Sequence, residues 1–205
     1  CGATTAEVAG FLSATIAHDL SALLETRVEV VAETPREAAR HTVTSPGCVC
    51  EPPVEWAYWG VDELSSAPLA SYKEDVDLLH DNRTGSGVLT GMTDLLRSRC
   101  KITSQPDWGD LYLHMRGDRL PSVDALLRYI VSFRDENHFT AEVVEMIYEA
   151  LQSHFSPEEL LVMAFYTRRG GIDINPVRAS RKELIDRFCP HIVRFDRLAI
   201  KSPRQ

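Results

Sequence analysis

The amino-acid sequence predicts an α+β protein built from two related modules. Apolar residues recur at helical spacing in three separate segments, and short alternating or apolar runs lie between those segments. A stretch richer in Pro, Ser and Gly, from about 33 to 85, separates the two halves. We therefore assign residues 1–85 to a first module and residues 86–205 to a second.

The first half begins with a helical pattern over residues 6–24. Its apolar positions recur every three to four residues, as one face of an amphipathic helix requires: Val8, Leu12, Ile16, Leu20, Leu23 and Leu24. The run RVEVVA at 27–32 alternates apolar and polar residues and is rich in β-branched side chains. That pattern predicts a strand.

The second half alternates strands and helices. GVLTGMTDLLRSRC, at 87–100, fits either a helix or a strand, and DLYLHMRGD, at 110–118, predicts a strand. Ser122 can cap a helix. The apolar face of that helix is Leu126, Leu127, Ile130 and Phe133; a helix over 140–154, a buried strand over 160–166 and a hairpin or loop over 167–176 follow.

Composition restricts the class of partner. The net charge of −8 argues against a nucleic-acid surface, which needs basic clusters, and favours a small-molecule partner. No apolar run reaches the roughly 18 residues that a membrane helix needs. The five cysteines are odd in number and lack the spacing of a zinc site, so we predict free thiols, no metal and a cytoplasmic location.

The segment CKITSQPDWG, at 100–109, places a cysteine seven positions before an aspartate. A stabilised, exposed thiolate is a nucleophile, and a buried carboxylic acid can donate a proton. Cys100 and Asp107 could perform these two tasks on one electrophile. The default alternative is a structural cysteine followed by a turn aspartate.

Two further signals are each weak alone. Phe139 could stack on a flat ring, although an aromatic residue at the start of a helix is more often part of the core. The RRGG run at 168–171 offers guanidinium groups and a backbone that phosphates can approach closely, although an exposed turn also explains it.

Together these segments resemble one family. LLRSRCKITSQPDWGDLYLHMRG, LLRYIVSFRDENHF and YTRRGGIDINPVR are similar to the C-terminal half of the bimodular NADPH-dependent 7-cyano-7-deazaguanine reductases, the nitrile reductases of queuosine biosynthesis. The similarity covers about residues 88–178, whereas residues 1–85 fit the N-terminal module only loosely. The chain begins at Cys1, so we expect either processing or a fragment that lacks the start of that module.

The resemblance implies a tunnelling fold, in which antiparallel sheets are backed by paired helices, and a homodimer. It implies that Cys100 attacks the nitrile to form a thioimide and that Asp107 donates the proton. It places Phe139 in the base pocket, and Arg169 and Gly170 on NADPH. The substrate is then a small deazaguanine, with neither nucleic acid nor membrane as a direct partner.

Two departures from the family are visible. Its Glu-Ser-Lys-Ser motif is absent from the chain, and we expect it upstream of Cys1. Its His-Glu pair after the phenylalanine is replaced by Thr140 and Ala141, with His138 and Glu142 flanking the gap. Two alternatives therefore stay open: a non-catalytic homologue, and a transferase that forms the same thioimide but lets ammonia attack it.

Overall fold

The computed structural model describes residues 4–30, 55–65, 69, 72–79, 83–169, 172 and 174–192. The chain divides into two compact units, Cys1–Cys48 and Val49–Gln205. Each unit has its own architecture. Within the described residues, no helix is both long enough and apolar enough to span a membrane.

The described part of the first unit contains helix α1 (Thr5–Leu24), which confirms the helix predicted over 6–24. Thr4 and Glu7 cap its start reciprocally: the Glu7 N–H donates to Thr4 Oγ1 and the Thr4 N–H donates to Glu7 Oε2. The strand predicted over 27–32 is wrong for residues 27–30, and the last two positions lie outside the described residues. The Val28 N–H donates to Ser21 Oγ of α1, at 2.9 Å, and not to a neighbouring strand.

The strands of the second unit are β1 (Ala57–Tyr58), β2 (Arg83–Thr84), β3 (Gly87–Cys100), β4 (Pro106–Gly117), β5 (Leu120–Pro121), β6 (Asn137–His138), β7 (Glu159–Tyr166) and β8 (Val177–Ala179). Six of them form one sheet in the order β1-β3-β4-β7-β8, with β6 also pairing with β3. A separate ribbon joins β2 to β5. The helices are α2 (Val123–Ser132), α3 (Thr140–Phe155) and α4 (Lys182–Ile192).

Strands β3 and β4 form a long antiparallel hairpin, so the segment 87–100 is a strand and not a helix. The register pairs Ser98 with Asp107 and Arg99 with Pro106. Residues 101–105 form the turn, in which Ser104 adopts a left-handed conformation with φ 55°. This hairpin brings Cys100 and Asp107 to the same end of the sheet.

Helices α2 and α3 cover one face of the sheet. The predicted apolar face of α2 is fully buried, and the N-cap prediction is confirmed because Ser122 Oγ accepts from the Ala125 N–H. The fold class is therefore α+β, as predicted, with paired helices behind a sheet that is antiparallel except for the short β1–β3 and β3–β6 pairs. The core lies between these layers: Leu96, Leu111, Leu113, Met115, Leu126, Ile130, Val143, Ile147, Leu160 and Val162.

Helix α4 covers the opposite face. Successive side chains of a strand point to opposite faces, so His114 points away from the core that Met115 enters. The His114 ring lies 4.4 Å from the ring of Phe188 in α4, measured between centroids. The sheet is therefore covered on both sides, and its ends are where a site can form.

The module boundary at residue 85 stays a prediction. Residues before that point nevertheless take part in the second unit, because β1 pairs with β3 and both Trp59 and Leu79 lie in the core cluster.

Replacing Gly91 of β3 by alanine should destabilise the second unit by roughly 1–3 kcal/mol, as overpacking of a filled core does. A Cβ there would lie 2.3 Å from Trp59 Cζ2 and 2.6 Å from the Ala57 carbonyl oxygen. Urea unfolding of Gly91→Ala and of the parent chain measures the effect. Gly85→Ala is the matched control, since a Cβ at Gly85 would meet nothing within 4 Å. An unchanged unfolding midpoint for Gly91→Ala would contradict the pairing of β1 with β3.

Candidate functional site

Cys100 is the last residue of β3 and opens the hairpin turn. Its N–H donates to the Gln105 carbonyl at 2.8 Å, and its carbonyl accepts from the Ser104 N–H at 2.9 Å, so its backbone position is fixed. Hydrogen bonds from the Thr103 side chain and from the N–H groups of Thr103 and Ile102 lower the pKa of the Cys100 thiol. The thiol is partly exposed. These are the properties of a cysteine nucleophile.

Cys189 in α4 provides a contrast. Burial raises the pKa of its thiol, and its Sγ lies 4.0 Å from the sulfur of Met163. Of the two cysteines in the described part of the chain, only Cys100 has a stabilised thiolate.

Asp107 lies in β4, opposite Ser98, with a side chain that is only 5% exposed. Arg169 donates to Asp107 Oδ1 from both Nε, at 2.7 Å, and Nη2, at 2.5 Å. The charge of Asp107 acts on Cys100, where it raises the pKa of the thiol and partly opposes the turn hydrogen bonds. The structure therefore brings three of the predicted site residues together, and Asp107 is a buried, ion-paired carboxylate and not a solvated turn residue.

Tyr166, the last residue of β7, is buried close enough to Asp107 for the charge of the carboxylate to act on its hydroxyl. Burial, together with the negative charge of Asp107, raises the pKa of its hydroxyl, so Tyr166 is neutral. The sheet thus supplies a buried polar environment for one carboxylate.

Phe139 immediately precedes α3, and its side chain stays outside the core, 48% exposed. Lys101 Nζ lies 5.3 Å from the centroid of its ring, within the range of a cation–π contact. Because the ring is exposed, the core interpretation of this aromatic residue is wrong. A face of the ring is available for a ligand.

Glu142 is the centre of a charged cluster at the start of α3. Its carboxylate accepts from Lys101 Nζ at 2.9 Å and from the Phe139 N–H at 3.0 Å. His138 Nδ1 lies 3.5 Å from Glu142, and His138 Nε2 lies 3.3 Å from Glu136. The hydrogen bond from Lys101 and that from the Phe139 backbone hold the pKa of Glu142 below its usual value.

A cleft of about 480 Å³ opens beside this cluster. Its edge adjoins Cys100, because the cleft residue His138 pairs with Cys100 in the β3–β6 ladder. Ala141 lines the cleft with a methyl group. The other lining residues are Lys101, His138, Glu142, Glu145, Met146 and Arg178.

Arg169 follows β7 in a short hairpin, closed by two hydrogen bonds between its backbone and that of Ile172. The guanidinium also donates from Nη1 to Gln105 Oε1 at 3.0 Å. Gly170, assigned above to the cofactor, lies outside the described residues. Among the described residues, no group of three or more His, Cys, Asp or Glu side chains could hold a metal ion.

A partly exposed cysteine with a lowered thiol pKa, beside a buried aspartate and next to a cleft, is an arrangement suited to covalent attack on a small electrophile. Residues 106–184 match the family model described as QueF-like protein. The chain is also similar to proteins named NADPH-dependent 7-cyano-7-deazaguanine reductase, so the resemblance found in the sequence is confirmed.

The relative from Hahella chejuensis is 46% identical over 119 residues, which are 57% of this chain and 43% of the relative. The relative from Acinetobacter baumannii strain AYE is 35% identical over 167 residues, 81% of this chain and 56% of the relative. The chain thus spans about half the length of the curated relatives that it matches. A solved archaeosine synthase QueF-Like, in its apo form, has a TM-score of 0.41 and 14% identity, covering 47% of this chain and 94% of that one.

Proposed function

We propose that this chain reduces the nitrile of 7-cyano-7-deazaguanine to an aminomethyl group, with NADPH as the reductant, as a step of queuosine biosynthesis. The observation that carries the proposal is the position of the Cys100 thiol, whose pKa is lowered, next to the buried carboxyl of Asp107 and beside the cleft residue His138. Support comes also from relatives that bear this enzyme's name and match this part of the chain.

In the first step the Cys100 thiolate attacks the nitrile carbon. A carbon–sulfur bond forms, one π bond of the nitrile breaks, and its electron pair moves to the nitrogen. Asp107 donates a proton to that nitrogen, which gives a neutral thioimide. Asp107 pairs with Ser98, two residues before Cys100, so Asp107 and Cys100 lie on the same face of the hairpin, which supports their acting together on one substrate.

Reduction of a nitrile to an amine takes four electrons. Two molecules of NADPH, each bound in turn, would supply them as one hydride apiece. The chain's part is to bind and orient this cofactor. Arg169 suits a phosphate group, because its side chain is 41% exposed although the guanidinium also donates to Asp107. Gly170 stays a prediction from the resemblance.

The cleft is suited to a flat ring with donors and acceptors at its edge. The exposed Phe139 ring, beside the cleft residue Lys101, offers a stacking face, and Glu142 in the cleft offers a carboxylate whose pKa Lys101 and the Phe139 N–H lower. Glu142 is thus our candidate for holding the substrate, which is part of what the resemblance assigns to the His-Glu pair that this chain lacks.

Replacing Thr140→His and Ala141→Glu together should raise kcat/KM for the nitrile by about tenfold or more, since one charge-assisted hydrogen bond is worth roughly 1.5–3 kcal/mol. Helix α3 begins at Thr140, and Ala141 in its first turn lines the cleft, so a glutamate at position 141 would project into the cleft beside the new histidine. Steady-state NADPH oxidation measures the change.

Glu142→Gln, in the parent chain and in the double variant, is the accompanying control. If the double replacement leaves kcat/KM unchanged while Glu142→Gln alone abolishes turnover, Glu142 already performs the whole role.

The direct test of the function is product analysis. The chain, incubated with 7-cyano-7-deazaguanine and NADPH, should release the 7-aminomethyl product by mass spectrometry, with two NADPH oxidised per nitrile consumed. Absence of both product and NADPH oxidation would reject the proposal.

The methyl group of Ala141 in the cleft favours a second candidate, a homologue that binds the base without reducing it. Calorimetric binding of the nitrile without any NADPH oxidation would support it. A transferase would instead yield an amidine when ammonia is added. The homodimer, the cytoplasmic location and the lack of a nucleic-acid partner stay predictions.

A further inference from the structure

Two basic residues flank Cys100 in the sequence, and both form ion pairs with the segment that leads into α3 and begins it. Arg99 Nη2 donates to Asp135 Oδ1 at 2.6 Å, before the helix. Lys101 Nζ donates to Glu142 Oε1 at 2.9 Å, in the first turn of the helix. Cys100 therefore lies between two ion pairs that join β3 and its turn to one neighbouring segment.

The two sides of Cys100 differ in what else supports them. On the Arg99 side the backbone already joins β3 to β6, because the Arg99 N–H donates to the Glu136 carbonyl at 2.8 Å and Cys100 pairs with His138. Beyond Cys100 the β3–β6 ladder ends and the hairpin turn begins. The contact that Lys101 makes with α3 is therefore a contact of its side chain.

The acceptor of the Lys101 ion pair is itself held in place. Glu142 Oε2 accepts from the Phe139 N–H at 3.0 Å, and the Phe139 carbonyl accepts from the Val143 N–H at 3.1 Å. Lys101 Nζ also lies 5.3 Å from the centroid of the Phe139 ring. Lys101 thus contacts two side chains whose positions the start of α3 determines.

The turn that Lys101 begins also carries the groups that stabilise the Cys100 thiolate. The Thr103 side chain and the N–H groups of Thr103 and Ile102 bind the sulfur. Residues 101–105 are all exposed, so burial in the core does not hold the turn in place. Contacts such as the one from Lys101 to α3 must therefore limit its movement.

We propose that Lys101 is a positioning residue: through Glu142 it holds the hairpin turn against the start of α3 and so keeps the hydrogen-bond donors of the turn aligned on the Cys100 sulfur. The meaning of this contact for nitrile reduction rests on the proposed function. The Lys101 and Glu142 side chains are 47% and 40% exposed, and exposed ion pairs contribute little to stability. Loss of the pair should therefore change the reactivity of Cys100 and leave the fold intact.

The rate at which iodoacetamide alkylates Cys100, followed by mass spectrometry of its peptide, tests this without substrate or cofactor. Lys101→Met should lower the rate by about two- to fivefold, the range that one exposed ion pair can transmit, with an unchanged thermal unfolding midpoint. Lys101→Arg keeps the ion pair and should restore the parent rate. Lys182→Met is the charge-matched control and should also keep it, because Lys182 pairs with Asp186 on α4.

A double-mutant cycle decides whether Lys101 acts through Glu142. Glu142→Gln keeps an oxygen that can accept from the Phe139 N–H but removes the charge that holds Lys101. If Lys101 acts through Glu142, Lys101→Met in the Glu142→Gln background should lower the rate no further.

Additive losses in the double variant would mean that the lysine charge acts on the thiol directly, and would overturn the inference. So would a parent-like alkylation rate in Lys101→Met, or a lowered unfolding midpoint that assigns the pair to stability. A chain that shows the expected alkylation rates but reduces no nitrile would instead reject the proposed function and leave the role of Lys101 standing. The two failures are therefore distinguishable.

Discussion

Cys100→Ala should eliminate nitrile reduction, with kcat lowered on the order of 1000-fold or more, because no other group replaces a lost covalent nucleophile. The structure makes the expectation specific to this cysteine: the hairpin turn lowers the pKa of its thiol, whereas burial raises the pKa of Cys189. NADPH oxidation in the presence of the nitrile measures the effect.

Cys189→Ala is the matched control and should keep the parent rate, since Cys189 packs against Met163 and not at the cleft. Residual turnover by Cys100→Ala close to that of the parent chain would exclude a thioimide on this residue.

Asp107→Asn should fold and yet lower kcat by roughly 100- to 10000-fold, the range associated with one general acid. The amide keeps the shape of the side chain but cannot give up an acidic proton. Loss of the ion pair should affect stability little, because the Arg169 side chain is 41% exposed and solvent can hydrate the freed guanidinium. Thermal unfolding checks the fold, and single-turnover kinetics locate the loss in the first chemical step.

Asp186→Asn controls for the loss of one negative charge, because Asp186 is exposed and pairs with Lys182 on α4. If Asp107→Asn turned over as fast as the parent chain, Asp107 would have a structural role only.

The helices of the second unit could be predicted because their signals are local. A cap at Ser122 and an apolar stripe along α2 lie within a dozen residues of sequence. Strand β3 was ambiguous between helix and strand, because its pairing with β4 decides its conformation. The strand predicted at 27–32 failed for a related reason: β-branched alternation indicates strand propensity, but a partner strand must also be present, and Val28 bonds to α1.

The sequence predicts which residues of the candidate site carry the chemistry, but it does not predict the hydrogen bonds that join them to residues far away in the chain. Cys100 and Asp107 could be paired from a short motif. The sequence does not indicate Lys101, because its partner Glu142 is 41 residues away and a lysine in a turn carries no local signal. The resemblance assigns Arg169 to the cofactor, whereas its bond to Asp107, across 62 residues, appears only when β4 and β7 pair.

Covalent attack by Cys100 is tested most directly by intact-protein mass spectrometry. The chain is mixed with 7-cyano-7-deazaguanine without NADPH, so that a thioimide would accumulate. We predict a mass increase equal to one nitrile molecule in the parent chain and none in Cys100→Ala. An adduct that persists in Cys100→Ala, or a parent chain that gains no mass, would contradict the mechanism.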